Sequence, residues 1–380
     1  MPEIWIPYGD VEISVDINAD NLSGIYKIDN NNFDIDELNN NQILTNIEEK
    51  INIFDICNSA GSLSIIEKLI EMMNKEDNNY ELEIISRRFQ KREIEELFKN
   101  KKINFNIKFI EDLSKEYIIE FLNNKQTILL SNSSFDGLFG FSGGSITLSK
   151  IINKNLIKNA FYDKEVNLPE SGIISNRTNI ILKEFRKYNN IISIQIIEDS
   201  TGINDCIIGN LEDVYKIASN KLMDNVINTE NMFESCIISC DYKKINTLNN
   251  SLNGIWNIYK SIEKKGHITL ISESSNGFGS DALNKFAINK INVKEYINNN
   301  DYIENLENLI FLENIHENYS IDIVSTIPHY YIEKRLKFRP HNTVNSALNS
   351  AIRRKGKMVK IAIVPNGNNT IIKHNQIKTI

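Results

Sequence analysis

The stretch Thr127–Lys150, TILLSNSSFDGLFGFSGGSITLSK, decides the fold class. The apolar run Thr127–Ser131 is typical of a buried strand; a polar, glycine-rich loop follows, and a helix is predicted from about Ile146. In open α/β sheets, ligands bind at such a junction because the amides of a helix N terminus face the crevice. The glycine spacing matches neither a dinucleotide fingerprint nor a P-loop, so an NAD site and a nucleotide-triphosphate site are not predicted. A tight turn without a ligand is the alternative.

The same alternation of short apolar runs and amphipathic segments continues along the chain, which predicts an α/β fold with mainly parallel sheets. Further strands are predicted at Ile51–Cys57, Glu81–Ile85, Ile191–Ile197, Cys206–Gly209, Ser235–Ser239, His267–Ile271, Ile321–Ser325 and Val359–Val364. Helices are predicted at Leu63–Met73, Glu93–Asn100, Leu211–Met223, Asn253–Lys264 with Gly266 as its C-terminal cap, and Val344–Ile352 with Asn342 or Thr343 as its N-terminal cap.

A chain of 380 residues is long enough for two or three domains, each with its own core. We expect two α/β lobes with a cleft between them. Residues 1–228 are predicted to form the N-terminal lobe, to which residues 366–380 can return, and residues 229–365 the C-terminal lobe.

Charge and composition narrow the classes of partner. The net charge of -7 and the pI of about 5.5 argue against a nucleic-acid-binding role. No run reaches the roughly 18 apolar residues of a membrane span, so no membrane partner is expected. The four cysteines form no CxxC or zinc-type cluster, which favours free thiols, a reducing cytoplasm and no metal site.

Five segments, in order along the chain, resemble the nickel-pincer lactate racemase family. Phe135–Gly144 resembles the family's S-H-F-F-A-G-F-S-G-G-R-K segment, and Ile6–Gly9 resembles its opening strand and turn. Ile194–Ile208 resembles N-V-V-L-D-E-D-K-K-I-I-G, Asn276–Gly279 resembles a D-G-H-G turn, and Ile363–Gly367 resembles the closing V-I-P-D-G. The order and spacing of these segments carry the resemblance along most of the chain.

The resemblance implies two α/β lobes with the active site in the cleft between them. It also implies a nickel-pincer nucleotide attached to a lysine through a thioamide, and two histidines that exchange the hydroxyl proton of a 2-hydroxy acid while hydride moves to the pincer. Histidine suits that role because it titrates near neutral pH. The resemblance therefore implies an isomerase, either a racemase or an epimerase of 2-hydroxy acids.

The family's reactive side chains are replaced in this chain. Carried over position by position, they fall on Asp136 (histidine), Ser145 (arginine), Ile146 (the cofactor-bearing lysine), Tyr162 (the nickel-ligand histidine) and Phe89 (histidine), while Cys57–Ser64 and Gly254–Asn257 lack the family's polar anchors. Isoleucine cannot form the thioamide link and phenylalanine cannot take a proton. We therefore expect no nickel-pincer cofactor and no family reaction.

The polar groups that remain near the expected cleft form the predicted ligand site, which comprises Arg87, Arg88, Asp136, Ser142, Gly143, Gly144 and Arg177. Asp136 and Arg87 are the candidates for a catalytic role. The arginines can hold a carboxylate or phosphate, or can belong to a solvated helix start. Asp136 is an acid or base if its pKa is shifted, and otherwise a turn cap. Arg177 either lines the cleft or is exposed.

Three functions are open on the sequence. The first is a paralogue that binds a small organic acid or anion in the old cleft. The second is an isomerase of 2-hydroxy acids or sugar acids with a rewired active site. The third is a non-catalytic scaffold or regulatory subunit, as a homo-oligomer or with a partner chain.

Overall fold

Two six-stranded sheets with helices packed against them organise the chain. The computed structural model describes residues 3–28, 32–45, 50–57, 59–74, 81–99, 104–124, 126–162, 170–199, 202–240 and 246–374. The strands are β1 Glu3–Tyr8, β2 Val11–Asp16, β3 Leu22–Ile25, β4 Lys50–Asp55, β5 Glu81–Ser86, β6 Asn104–Phe109, β7 Thr127–Asn132, β8 Phe135–Asp136, β9 Gly140–Phe141, β10 Ile191–Asp199, β11 Gly202–Gly209, β12 Val226–Thr229, β13 Phe233–Ser239, β14 Ile262–Ile271, β15 Ser320–Val324, β16 Arg339–His341, β17 Ile361–Val364 and β18 Ile371–His374.

The α-helices are α1 Gln42–Thr45, α2 Ala60–Asn74, α3 Lys91–Phe98, α4 Lys115–Asn124, α5 Gly144–Ile152, α6 Lys154–Phe161, α7 Asn176–Phe185, α8 Leu211–Met223, α9 Leu248–Ile258, α10 Asp281–Ala287, α11 Val293–Asn298, α12 Leu306–His316, α13 His329–Lys334 and α14 Val344–Lys355. Short 3-10 turns lie at Ile35–Asn40, Arg88–Gln90, Ile110–Asp112 and Tyr259–Ser261.

The first sheet has the strand order β11-β10-β7-β4-β5-β6, and the second has β16-β15-β14-β13-β17-β3. All neighbours within the two sheets are parallel except β10 and β11. The predicted α/β class with mainly parallel sheets is confirmed. Parallel sheets carry helices on both faces, which explains why their strands read as nearly continuous apolar runs.

Alternate residues of a strand pack into different cores. In β7, Ile128 and Leu130 face the core that includes α2 and α3, whereas Leu129 faces the core that includes α5 and α8. In β13, Ile238 packs beneath α9 and Ile237 packs beneath α14. Each sheet is therefore the centre of a three-layer sandwich.

The strands near the two ends of the described chain pair with strands that lie far away in the sequence. The hairpin β1–β2 packs onto the second sheet through Ile6 and Val15, and β3 pairs with β17 at the edge of that sheet. At the other end, β18 pairs with β12 in parallel. The domain boundary at residues 228/229 and the return of residues 366–380 stay predictions, while the strand pairing places residues 22–25 in the second sheet.

The predicted helix Asn253–Lys264 is wrong at its end. Helix α9 ends at Ile258, and the chain enters β14 at Ile262 because pairing with β13 and β15 satisfies its backbone. Gly266 therefore lies inside β14 and caps no helix. A Cβ there would lie 2.3 Å from Ile262 Cγ2 and 2.7 Å from the Glu263 carbonyl oxygen, so a close backbone approach requires the glycine.

Candidate functional site

A cleft of about 620 Å³ lies between the two sheets. Its walls come from the carboxyl ends of strands of both sheets and the loops that follow them, including Ser133 after β7 and Asn368 after β17, and from the N-terminal part of α9. Nine of the 28 described residues that line it are asparagines. Ligand sites in α/β proteins lie at such a strand-end crevice, so the cleft is the candidate site.

The glycine-rich turn forms one wall, and Asp136 organises it. Asp136 Oδ1 accepts hydrogen bonds from the backbone N–H groups of Leu138 (2.8 Å) and Phe139 (2.7 Å). A Cβ on Gly137 would lie 2.4 Å from the Trp256 ring, so the turn packs directly on α9. Asp136 lines the cleft and acts as the turn cap that the sequence offered as one interpretation.

The other turn residues of the predicted site differ in their positions. Ser142 lines the cleft, and its hydroxyl accepts a hydrogen bond from the Ser134 backbone N–H at 3.0 Å. Gly143 and Gly144 are buried: a Cβ on Gly143 would lie 2.9 Å from the Tyr215 ring, and one on Gly144 would lie 3.1 Å from Ser131 Oγ. The two glycines allow α5 to start close to the sheet.

Arg87 and Arg88, two of the three arginines predicted for the site, point to different places. Arg87 lines the cleft, with its NH1 group 3.8 Å from Glu111 Oε1. Arg88 is exposed, forms an ion pair with Asp112 and lies 5.3 Å from the centre of the Phe109 ring. The sequence predicted both side chains for one site, and the backbone of the 3-10 turn separates them.

Arg177 and two of the carried-over positions lie away from the cleft. Arg177 is 5% exposed on α7, so it is neither an exposed residue nor one of the described residues that line the cleft. Ile146 is fully buried in the core below α5. The Tyr162 hydroxyl donates to the Asp301 carbonyl oxygen at 2.6 Å. The side chain of Phe89 lies outside the described residues.

A charged cluster across the cleft was missed by the sequence analysis. Lys150 of α5 lies 3.8 Å from Asp136 Oδ2, and Glu304 and Glu307 approach it from the second-sheet side. Burial alone would lower the pKa of Lys150, but Asp136, Glu307 and Glu304 raise it, so the side chain is a fixed cation. A lysine three residues after Thr147 on the polar face of α5 was the available signal.

Glu307 is the titratable group of this cluster. Burial raises the pKa of Glu307 to about 7, although Lys150 acts in the opposite direction. The Tyr302 hydroxyl donates to Glu307 Oε2 at 3.1 Å. A carboxyl group with this pKa exchanges protons readily at neutral pH.

A second buried polar group lies at the carboxyl ends of β4 and β10. Burial raises the pKa of Glu198, although hydrogen bonds from Ser59, Asn132 and Gly61 lower it. The Cys57 thiol also lines the cleft, and burial together with Asp55 keeps its pKa well above the ordinary value. The thiol is therefore protonated at neutral pH and is a poor nucleophile.

Within the described ranges, no cluster of three or more His, Cys, Asp or Glu side chains is arranged to hold a metal ion. Every helix in those ranges is too short or too polar to cross a bilayer.

Comparison with known proteins gives a structural relationship. No model of a protein family matches the chain, and no curated protein sequence matches it. The lactate racemase apoprotein from Thermoanaerobacterium thermosaccharolyticum has a similar structure, with a TM-score of 0.74 and 15% sequence identity over 98% of this chain and 100% of that chain. The chain therefore has a lactate-racemase-like α/β fold, as the motif resemblance implied.

Proposed function

We propose that this protein binds a small organic acid with several hydroxyl groups in the cleft and does not catalyse nickel-dependent racemisation. The observation that carries the proposal is Arg87. Arg87 lines the cleft, its side chain is about one-third exposed, and its guanidinium group donates no hydrogen bond to any described residue. The nearest carboxylate oxygen, on Glu111, is 3.8 Å away, which leaves the planar donors available for a ligand carboxylate.

The asparagines support a hydroxyl-rich body for the ligand. Asn250 and Asn253 of α9 line the cleft, and their side chains make no hydrogen bond with a described residue. An amide offers both donors and an acceptor, and a hydroxyl group is also both donor and acceptor. Carboxyl groups outnumber cations among the described lining residues, which favours a ligand that places one acidic group and several hydroxyls in the cleft over one that places several acidic groups there.

The proposed loss of the nickel-pincer cofactor is supported by the side chains at the carried-over positions, which do not fit that group. Ile146 offers no nucleophile and its side chain is used in the core. The Tyr162 hydroxyl already donates a hydrogen bond to the Asp301 carbonyl oxygen.

Ligand binding tests the first part of the proposal. D-gluconate should raise the melting temperature of the full chain, whereas hexanoate (no hydroxyls) and sorbitol (no carboxylate) should raise it less. We expect Arg87→Ala to weaken gluconate binding about tenfold, since it removes a charge-assisted contact. Arg88→Ala is the matched control, because Arg88 is exposed and pairs with Asp112. Equal losses in the two variants, or no response to gluconate, would reject the proposal.

Metal content and intact mass test the second part. The protein should be produced in cells that also make the pincer cofactor. We expect an unmodified mass and no nickel. Near-stoichiometric nickel would overturn this part and make 2-hydroxy-acid racemisation the next assay.

Glu307 favours a second candidate function, an isomerase that moves a proton at the carbon next to a carboxylate. The pKa of about 7 suits a general acid or base, and Lys150 supplies a fixed positive charge nearby. NMR in D₂O measures this activity as exchange of the hydrogen next to the carboxylate of gluconate. Exchange that requires Glu307, and is lost in Glu307→Gln, would favour the isomerase over the binding protein.

A further inference from the structure

A second chamber of about 250 Å³ opens beside the cleft. Its first-sheet wall is formed by α5 and the start of α6, with Lys150 and Lys154, and its opposite wall by α10, α11 and the segment before α12. Lys150, Asp281 and Glu304 line both spaces, so the two chambers join there. We call the smaller space the side chamber.

The side chamber has the opposite charge balance to the cleft. Three lysines line it, Lys150, Lys154 and Lys285, against the two carboxylates Asp281 and Glu304. Asp281 lies 3.5 Å from Lys285, whereas Lys154 forms no ion pair with any described residue. Lys154 is also the first residue of α6, so the positive end of that helix lies at the same wall. A doubly charged anionic group is therefore favoured in the side chamber over the cleft, whose carboxylates leave room for a single acidic group beside Arg87.

The type of cation favours phosphate over carboxylate. A phosphate monoester carries nearly two negative charges and three strong acceptor oxygens, so several separate lysine charges match it better than they match the single charge of a carboxylate. The volume equals that of about eight water molecules, which leaves room for a phosphate group and the carbon that carries it.

We propose that the side chamber binds the phosphate monoester end of a ligand whose hydroxylated body lies in the cleft. The ligand class is then a phosphorylated hydroxy acid or sugar acid. The inference rests on the proposed function for the position of the ligand body. The phosphate contact itself depends only on the side-chamber lysines.

Calorimetric titration of the full chain with 6-phosphogluconate, D-gluconate and inorganic phosphate tests the inference. We expect 6-phosphogluconate to bind at least about tenfold more tightly than gluconate, with a preference that weakens as salt increases. In the double variant Lys154→Ala, Lys285→Ala, the ratio of the two affinities should fall to about one. Lys334→Ala is the control, since Lys334 is exposed on α13 beside Glu333 and lines neither chamber.

The outcomes separate this inference from the proposed function. Equal binding of the ester and gluconate by the unmodified protein, an unchanged ratio in the double variant, or no binding of the ester would overturn the side-chamber proposal. Inorganic phosphate that binds as tightly as the ester would also overturn it, because the site would then be one for the free ion. Failure of gluconate alone to bind would count against the proposed function, while lysine-dependent binding of the ester would still support the side chamber.

Discussion

At the scale of single residues, the cleft depends on how burial and charge act on a few side chains. Asp136 holds the glycine-rich turn through two backbone hydrogen bonds and also faces Lys150. Lys150 stays charged because carboxylates surround it, whereas burial raises the pKa of Glu307. One turn of α5 separates a core residue, Ile146, from a cleft residue, Lys150.

Glu307 should make the unfolding free energy depend on pH. Its pKa in the folded state, about 7, is above the ordinary value of 4.5, so the folded state binds more protons between those values. This contribution to stability is present below pH 4.5 and is lost as the pH rises to about 7. We expect the unfolding free energy of Glu307→Gln, relative to that of the unmodified protein, to rise by about 3 kcal/mol between pH 4.5 and 8. Urea unfolding at several pH values measures the difference in unfolding free energy. A difference that does not change with pH would contradict the prediction.

At the scale of elements, the antiparallel pair β8–β9 shows how backbone geometry shapes the cleft wall. Gly140 has a φ of +81°, and a Cβ there would lie 2.0 Å from the Ile173 carbonyl oxygen. The Gly172 backbone N–H donates to the Gly140 carbonyl oxygen at 2.8 Å. The turn is therefore fixed against the segment before α7, and side chains on it, such as Asp136, are held in place.

Replacing Gly140 with alanine should cost much more than the same change at Gly277. Gly277 has a similar φ of +77°, but a Cβ there has no neighbour within 4 Å. We expect Gly277→Ala to cost about 1 kcal/mol from backbone strain alone. Gly140→Ala should cost at least about 2 kcal/mol more, because backbone atoms must move. Chemical denaturation measures both, and similar losses would show that the close approach to Ile173 is not important.

At the scale of the whole molecule, β18 connects the two halves. Ile371 packs into the core next to the first sheet, and its neighbour Ile372 packs into the core next to the second. Asn257 Nδ2 donates to the carbonyl oxygens of Gly367 and Asn368 just before this strand. Residues 367–372 therefore contact the packing of both sheets, next to the cleft.

Truncating either isoleucine of β18 should destabilise the protein. Ile371→Ala and Ile372→Ala should each cost about 2–5 kcal/mol, and the matched Ile→Val changes about 0.5–1.5 kcal/mol, because the cavities left differ in size. Urea unfolding monitored by circular dichroism measures the loss of structure in both sheets. A loss below about 1 kcal/mol for either alanine variant would show that β18 adds little to the packing between them.

The amino-acid sequence by itself determined the fold class and most of the elements of the sheets, because parallel strands buried on both faces leave continuous apolar runs and their helices leave a 3.6-residue pattern. It placed α8 at Leu211–Met223 and limited the cap of α14 to Asn342 or Thr343, of which the structure shows Thr343. Only the tertiary structure decided that β14 already begins at Ile262, within the predicted helix, since pairing with β13 outweighs local helical preference there. Only the tertiary structure also brought Lys150 to Glu307 and separated Arg87 from Arg88, because contacts between distant segments leave no periodic signal in the chain.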